Sequence, residues 1–410
     1  MNRGILSLFL LPLAGVAQID QQRAAEAFNQ AKTLCEREGG KVWKISLCGP
    51  IVIADPATKT IATNQPAPEA PRPAALGFSN SAMDWGGTRW TTISWPSLMA
   101  LQHLDGLLLI HELFHRIQPQ LGLVVEDIPS DHLGTPEGRY WMQLEWRALS
   151  RAIGSQGQTR STAVGDALAF RAARRSRFPG AAESERRYET NEGLAQYTPT
   201  VVAAGSRSEA LRSAIGQLEG APAEVTFNRQ FAYTTGAAYG ILLDEYAPGW
   251  THRIKSGDDL GKLIEPFAAI RPTKDLEAAA ASYEGPEIRE RETRRDVEHK
   301  ARLAELRRRF VEGPILILPR GRGASFGSAG ITLIPGEGTV YSSYRTKADW
   351  GTLEASTVLV DMDRGKLTVP APAVVEGKTL KGDGWTLAIA DGWGIRPGPQ
   401  AGDFQLVRER

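Results

Sequence analysis

His111-Glu112-Leu113-Phe114-His115 sets two imidazoles four residues apart, with a carboxylate beside the first. On a helix, positions i and i+4 share one face a single turn apart. Both rings can therefore reach one Zn²⁺ while Glu112 stands where a general base is needed. A catalytic zinc takes three protein donors and keeps one position for water, so His111 and His115 need a partner from elsewhere in the chain. Two carboxylates compete for that place: Glu192 in Asn191-Glu-Gly-Leu-Ala-Gln-Tyr197, and Glu145 in Leu144-Glu-Trp-Arg-Ala-Leu149. The plain alternative is an ordinary helix whose histidines pack or face solvent.

The segments around these residues must supply the scaffold. Leu104, Leu107, Leu108, Leu113, Phe114 and Ile117 recur at helical spacing, and Pro119 and Gly122 close that helix. Before it, Thr88 to Trp95 is rich in β-branched and aromatic residues and ends at Pro96, which predicts a strand. Helices are predicted over Tyr140–Ile153, with Glu145 at its middle, over Thr162–Arg177, and over Glu183–Tyr197, which contains Glu185, Glu189 and Glu192. Leu211–Leu218 and Thr234–Tyr246 follow, the latter with the small residues of Gly236-Ala-Ala-Tyr239-Gly240. Upstream, Gln21–Arg37 reads as a helix, Lys41–Ser46 and Ile51–Ala54 as strands, and the proline-rich run 64–73 as an extended loop.

The 410 residues suffice for two or three domains with a large core. Forty-eight basic residues against forty-seven acidic ones give no reason to expect nucleic acid or an anionic membrane as partner. Met1–Ala17 has Arg3, an apolar run from Ile5 to Leu13 and small residues at Gly15-Val16-Ala17, the pattern of a cleaved secretory signal. No run approaches the ~20 apolar residues of a membrane span. In an exported chain Cys35 and Cys48, the only cysteines, are expected to pair. Glu287–Phe310 is almost continuously charged and reads as a connector helix. From Pro314 onward short alternating runs broken by glycine predict a small all-β domain whose tryptophans read first as core.

HELFH followed by NEGLAQY resembles the gluzincin metallopeptidases of the MA-like clan, whose second helix bears a Glu ligand in a similar context. The order Cys-Gly-Pro loop, HELFH, EGLA-Tyr is also similar to that of exported bacterial proteins of unknown substrate. By this resemblance, which spans about Thr88 to Tyr246, Glu192 is the third zinc ligand and the Thr88–Trp95 strand is the rail along which a peptide lies. It also implies a tyrosine on a later helix that steadies the oxyanion; Tyr239 is the first choice and Tyr233 the second, with His103 and His132 as further candidates. The chain departs from the thermolysin-like and M1-type pattern in the long spacing between His115 and Glu192. An inserted pair of helices carrying Glu145 accounts for that, and keeps Glu145 open as ligand or as a carboxylate orienting a histidine. No G-x-M-E-N motif precedes HELFH, which speaks against an M1-like aminopeptidase.

The expected architecture is α+β. It comprises a signal peptide over 1–17, an N-terminal region over 18–80 with the Cys35–Cys48 loop, a mainly helical zincin-like domain over 81–284, a charged connector helix over 285–312 and a C-terminal β domain over 313–410. The expected function is that of a secreted or periplasmic zinc metallopeptidase acting on peptides or proteins, with one zinc held by His111, His115 and Glu192. The alternative is a non-catalytic envelope binding or scaffold protein, with a zincin-like metal site and a recognising β domain.

Overall fold

Asp20 starts the first helix, α1 (Gln21–Glu38), by accepting the backbone N–H groups of Gln22 and Arg23, and Gly39 ends it in the left-handed region at φ 61°. These elements belong to a computed structural model that describes residues 18–101, 105–224, 226–267, 273, 275–321 and 323–409. The expected signal segment and His103 lie outside the described residues.

Four short strands follow: β1 (Ile51–Ala54), β2 (Ile61–Thr63), β3 (Ser81–Trp85) and β4 (Thr88–Ser94). They form one sheet in the order β2-β1-β4-β3, with β1 parallel to β4 and the other pairs antiparallel. Gly86 and Gly87, at φ 58° and 77°, make the two-residue hairpin that folds β3 back on β4. The predicted strand at Thr88 is therefore internal, and β2 and β3 are the sheet's two edge strands among the described residues. Lys41–Ser46 is not the expected strand but a turn with Lys44 at φ 59°. Its Trp43 is buried, packs tilted against Phe114 with ring centres 4.9 Å apart, and donates from Nε1 to Thr198 Oγ1 at 3.0 Å. Anchoring one tryptophan outweighed the weak β preference of Val42 and Ile45.

Next come α2 (Trp95–Ala100), α3 (Asp105–Ile117), a 3₁₀ turn at Gln118–Leu121, α4 (Pro136–Gly154), α5 (Gly157–Arg177) and α6 (Ala181–Tyr188). A π-helical turn, Glu189–Gly193, separates α6 from α7 (Leu194–Val202). The helix expected over Glu183–Tyr197 is present, running on from α6 into α7, but it carries a π turn whose extra backbone an α-helical period cannot reveal. The remaining helices are α8 (Arg207–Gly220), α9 (Gln230–Tyr246), α10 (Leu260–Ile264), α11 (Leu276–Ala281) and α12 (Gly285–Arg307). Leu109, Ile110, Leu113, Phe114 and Ile117 bury the apolar stripe of α3 in a core that α1, α4, α7 and α9 share.

Cys35 and Cys48 form a disulfide, Cα atoms 5.2 Å apart, that ties the end of α1 to the loop before β1. Arg116 on α3 donates to the carbonyls of Ser46, Leu47 and Cys48 at 3.2, 3.2 and 3.0 Å, so this loop is strapped to α3 beside His115. Closing so short a loop restricts the unfolded chain by about 3 kcal/mol. The Cys35→Ala/Cys48→Ala variant is expected to unfold several degrees lower in calorimetry, and a reductant should produce the same shift in wild type but none in the variant. An unchanged midpoint would show the bridge to be dispensable.

The chain divides into two compact units, one up to Glu292 and one from Thr293, so the boundary falls inside α12. The second unit is an open, half-barrel sheet built from β5 (Ile315–Pro319), β6 (Ala324–Ile334), β7 (Gly338–Ala348), β8 (Gly351–Asp361), β9 (Lys366–Pro370), β10 (Val374–Glu376), β11 (Thr379–Gly382), β12 (Trp385–Ile389), β13 (Trp393–Pro397) and β14 (Phe404–Arg408). Trp350 and Trp385 are buried in its core with Leu353, Leu367 and Leu387, as expected from the sequence. No helix among the described residues is long and apolar enough to cross a membrane.

Candidate metal centre

His111 and His115 stand on α3 one turn apart, and the turn after α6 brings Glu192 to them across eighty-one residues of chain. Their donor atoms form a small triangle. His111 Nε2 lies 3.2 Å from His115 Nε2 and 3.3 Å from Glu192 Oε2, and His115 Nε2 lies 3.6 Å from that same oxygen. A tetrahedral ion about 2.0–2.2 Å from each donor spaces those donors roughly 3.3–3.6 Å apart. The triangle fits that face, and these three residues could hold a metal ion.

A second observation supports the fit. Glu112 is buried beside the triangle, and its Oε2 has no hydrogen-bond partner. A buried carboxylate oxygen without a partner is costly unless another species meets it. Burial pushes the Glu112 carboxyl above the ordinary range, against the opposing charge of His111 and His115. Burial acts the same way on Glu192, but hydrogen bonds and charge from His111 and His115 outweigh it and hold that carboxyl well below the usual range. For His115, burial works to lower basicity, and Glu192 and Glu112 reverse the effect, leaving a ring more basic than an ordinary histidine.

Surrounding residues fix these side chains. Gln118 Oε1 sits 2.9 Å from His115 Nδ1, while its own amide nitrogen donates to Leu123 O at 2.9 Å. The amide orientation makes Nδ1–H the donor and leaves Nε2 of His115 with a free lone pair for the metal. Gln118 was not singled out in the sequence, although its i+3 offset from His115 puts it on the same helical face. Gln118→Leu is expected to weaken the binding of a divalent metal ion about 10–100-fold in competition with a chromogenic chelator. Unaltered affinity would show that His115 needs no such hold.

The two candidate tyrosines part company. Tyr239 is fully buried and donates its hydroxyl to Glu145 Oε1 at 2.8 Å, so the structure does not bring it to the metal donors. Tyr233 stacks on His111, ring centres 5.5 Å apart and 13° between planes, and lines the cleft that opens on Glu112 and Glu192. Burial and the Glu192 carboxylate raise its phenol, so it stays a proton-bearing donor. Arg229, one turn before it, bonds Glu192 Oε1. α9 approaches the π turn so closely only because both contact residues are glycine: a Cβ on Gly236 would lie 2.2 Å from Gly193 Cα. Nothing in the sequence singled out Arg229.

Glu145 goes elsewhere. It is wholly buried and accepts from Arg171 at 3.1 Å and Arg174 at 2.6 Å, besides Tyr239. Arg171 also holds Glu189, the first residue of the π turn, at 2.7 Å, and Arg174 pairs with Glu185. His132 joins this network through Glu185 Oε1 at 2.8 Å. Glu145 therefore orients no metal-side histidine; it anchors arginines that brace the turn presenting Glu192.

A cleft of about 520 Å³ lies over the donors, walled on one side by Ser81 and Ala82 of β3 and on the other by the π turn and the start of α9. Comparison of the chain with protein-family models, with curated proteins and with solved structures finds no match.

Proposed function

We propose that the protein is a zinc-dependent peptidase acting outside the reducing cytoplasm. The observation that carries this reading is the unpartnered Glu112 Oε2 beside the His111–His115–Glu192 triangle, since a purely structural site has no use for it. Among the described residues the donor group has three members, which leaves a tetrahedral ion one open position. Bound there, zinc supplies Lewis-acid polarisation of a water and of a scissile carbonyl. Glu112 takes the water's proton on its free oxygen and returns it to the leaving amine. Tyr233 donates its hydroxyl to the carbonyl oxygen as negative charge develops. The free edge of β3 along the cleft suits an extended peptide paired through its backbone. The Cys35–Cys48 disulfide supports an extracellular or periplasmic location.

The test is hydrolysis of a mixed peptide library by the purified chain. Cleavage is expected, is expected to stop with a zinc chelator, and should return with added zinc. Cleavage indifferent to the chelator, or none from a zinc-loaded chain, would sink the peptidase reading. In the latter case a scaffold role for the metal site would take its place.

A further inference from the structure

We infer that the cleft selects a substrate carboxylate through Arg229 and Arg89. That carboxylate is either the α-carboxylate of a peptide C-terminus or the side chain of an Asp or Glu, within about two residues of the bond that is cut. The inference rests on the peptidase reading and names its substrate class.

Charge is the first argument. Among the described residues, apart from Glu112, His115 and Glu192, the only charged side chains lining the cleft are these two arginines. With a dication in place, Glu112 and Glu192 offset its charge, so the two arginines stand as the surplus positive charge of the cleft. Asp127, whose charge acts on Arg229, accepts from Asn191 Nδ2 at 3.1 Å and is not part of the lining.

Geometry is the second. Arg229 uses one nitrogen on Glu192 Oε1 and is 55% exposed, which leaves other N–H groups of its fork open. Its guanidinium thus stands one carboxylate away from the metal donors, and an extended residue spans roughly 3.3–3.6 Å, so an anion held there lies next to the reacting bond. Arg89, from the β3–β4 wall, pairs among the described residues with Asp84, at 3.6 Å with 74% of that side chain exposed, a contact that water screens. Its Nε is buried with no partner. An open buried donor is a cost in the free protein that a bound acceptor removes, and a planar guanidinium matches a carboxylate in two parallel hydrogen bonds.

The deciding experiment uses the full zinc-loaded chain with Glu112→Gln, so that peptides bind without being cut. One neutral sequence bearing an uncharged fluorophore is compared as free acid, as C-terminal amide, and as amide with a single Asp moved along it. Fluorescence anisotropy is expected to show the free acid, or one of the Asp amides, binding at least roughly tenfold tighter than the plain amide, the first result assigning a terminal carboxylate and the second an acidic side chain. Arg229→Met and Arg89→Met are each expected to shrink that ratio, and added salt to shrink it less than for an exposed pair. Equal binding of the free acid, the plain amide and every Asp amide overturns the inference. The same peptides given to the wild-type chain separate the two readings: cleavage without carboxylate preference overturns this inference alone, whereas carboxylate-selective binding without cleavage overturns the peptidase reading and upholds the carboxylate site.

Discussion

Glu112→Gln is expected to keep one zinc per chain and to lose about 10²–10⁴-fold in kcat/KM for whatever peptide the wild type cuts. The amide keeps the size of the carboxylate, and Glu112 is not one of the three metal donors, so metal content should not change. What disappears is the oxygen able to accept and return a proton, Oε2, which faces no protein partner. Elemental analysis beside a steady-state assay reads both quantities on one preparation. Undiminished hydrolysis with zinc bound would remove Glu112 from the chemistry. Loss of zinc together with hydrolysis would make it a ligand instead.

Glu192→Ala and Glu145→Ala should fail in opposite ways. Without Glu192 the triangle keeps two imidazoles, and Arg229 is left facing them without its partner, so zinc is expected to be lost at low micromolar free metal while the fold survives. Without Glu145 the donors are untouched and one zinc should remain. Stability is expected to fall by about 3–5 kcal/mol, because Arg171 and Arg174 are buried and would each lose a charged partner. Denaturant titration of the first unit and metal analysis together distinguish the two. Retention of zinc in Glu192→Ala with its loss in Glu145→Ala would transfer the third ligand to α4. Leu and Met, which approximate the volume of Glu145, should recover little, since Arg171 and Arg174 would keep Glu189 and Glu185 but each still lack the hydrogen-bonded carboxylate that Glu145 supplies.

Much of the site was legible in the chain because helical spacing is local. The i, i+4 histidines, the carboxylate between them, the apolar stripe of α3 and the stop at Pro119 and Gly122 follow from a period of 3.6 residues and from turn chemistry, neither of which depends on distant contacts. The Cys35–Cys48 pair was equally open to reading, since the sequence offers no other cysteine. The sequence context of Glu192 pointed to the carboxylate that the structure does bring to the two histidines.

What the chain could not disclose was decided by contacts between elements. Tyr233 and Tyr239 lie on the same helix, six residues apart, and therefore on different faces. The stacking of Tyr233 on His111 and the bond of Tyr239 to Glu145 show which face meets the donors. Whether Glu145 binds metal or arginine depends on α5, whose Arg171 and Arg174 lie twenty-six and twenty-nine residues further on. The π turn that aims Glu192 has no periodic signature, and Arg229 reaches Glu192 across thirty-seven residues. A sequence displays its local periods directly, but which charge is buried against which depends on how the helices close on one another, and only packing at ångström range fixes that.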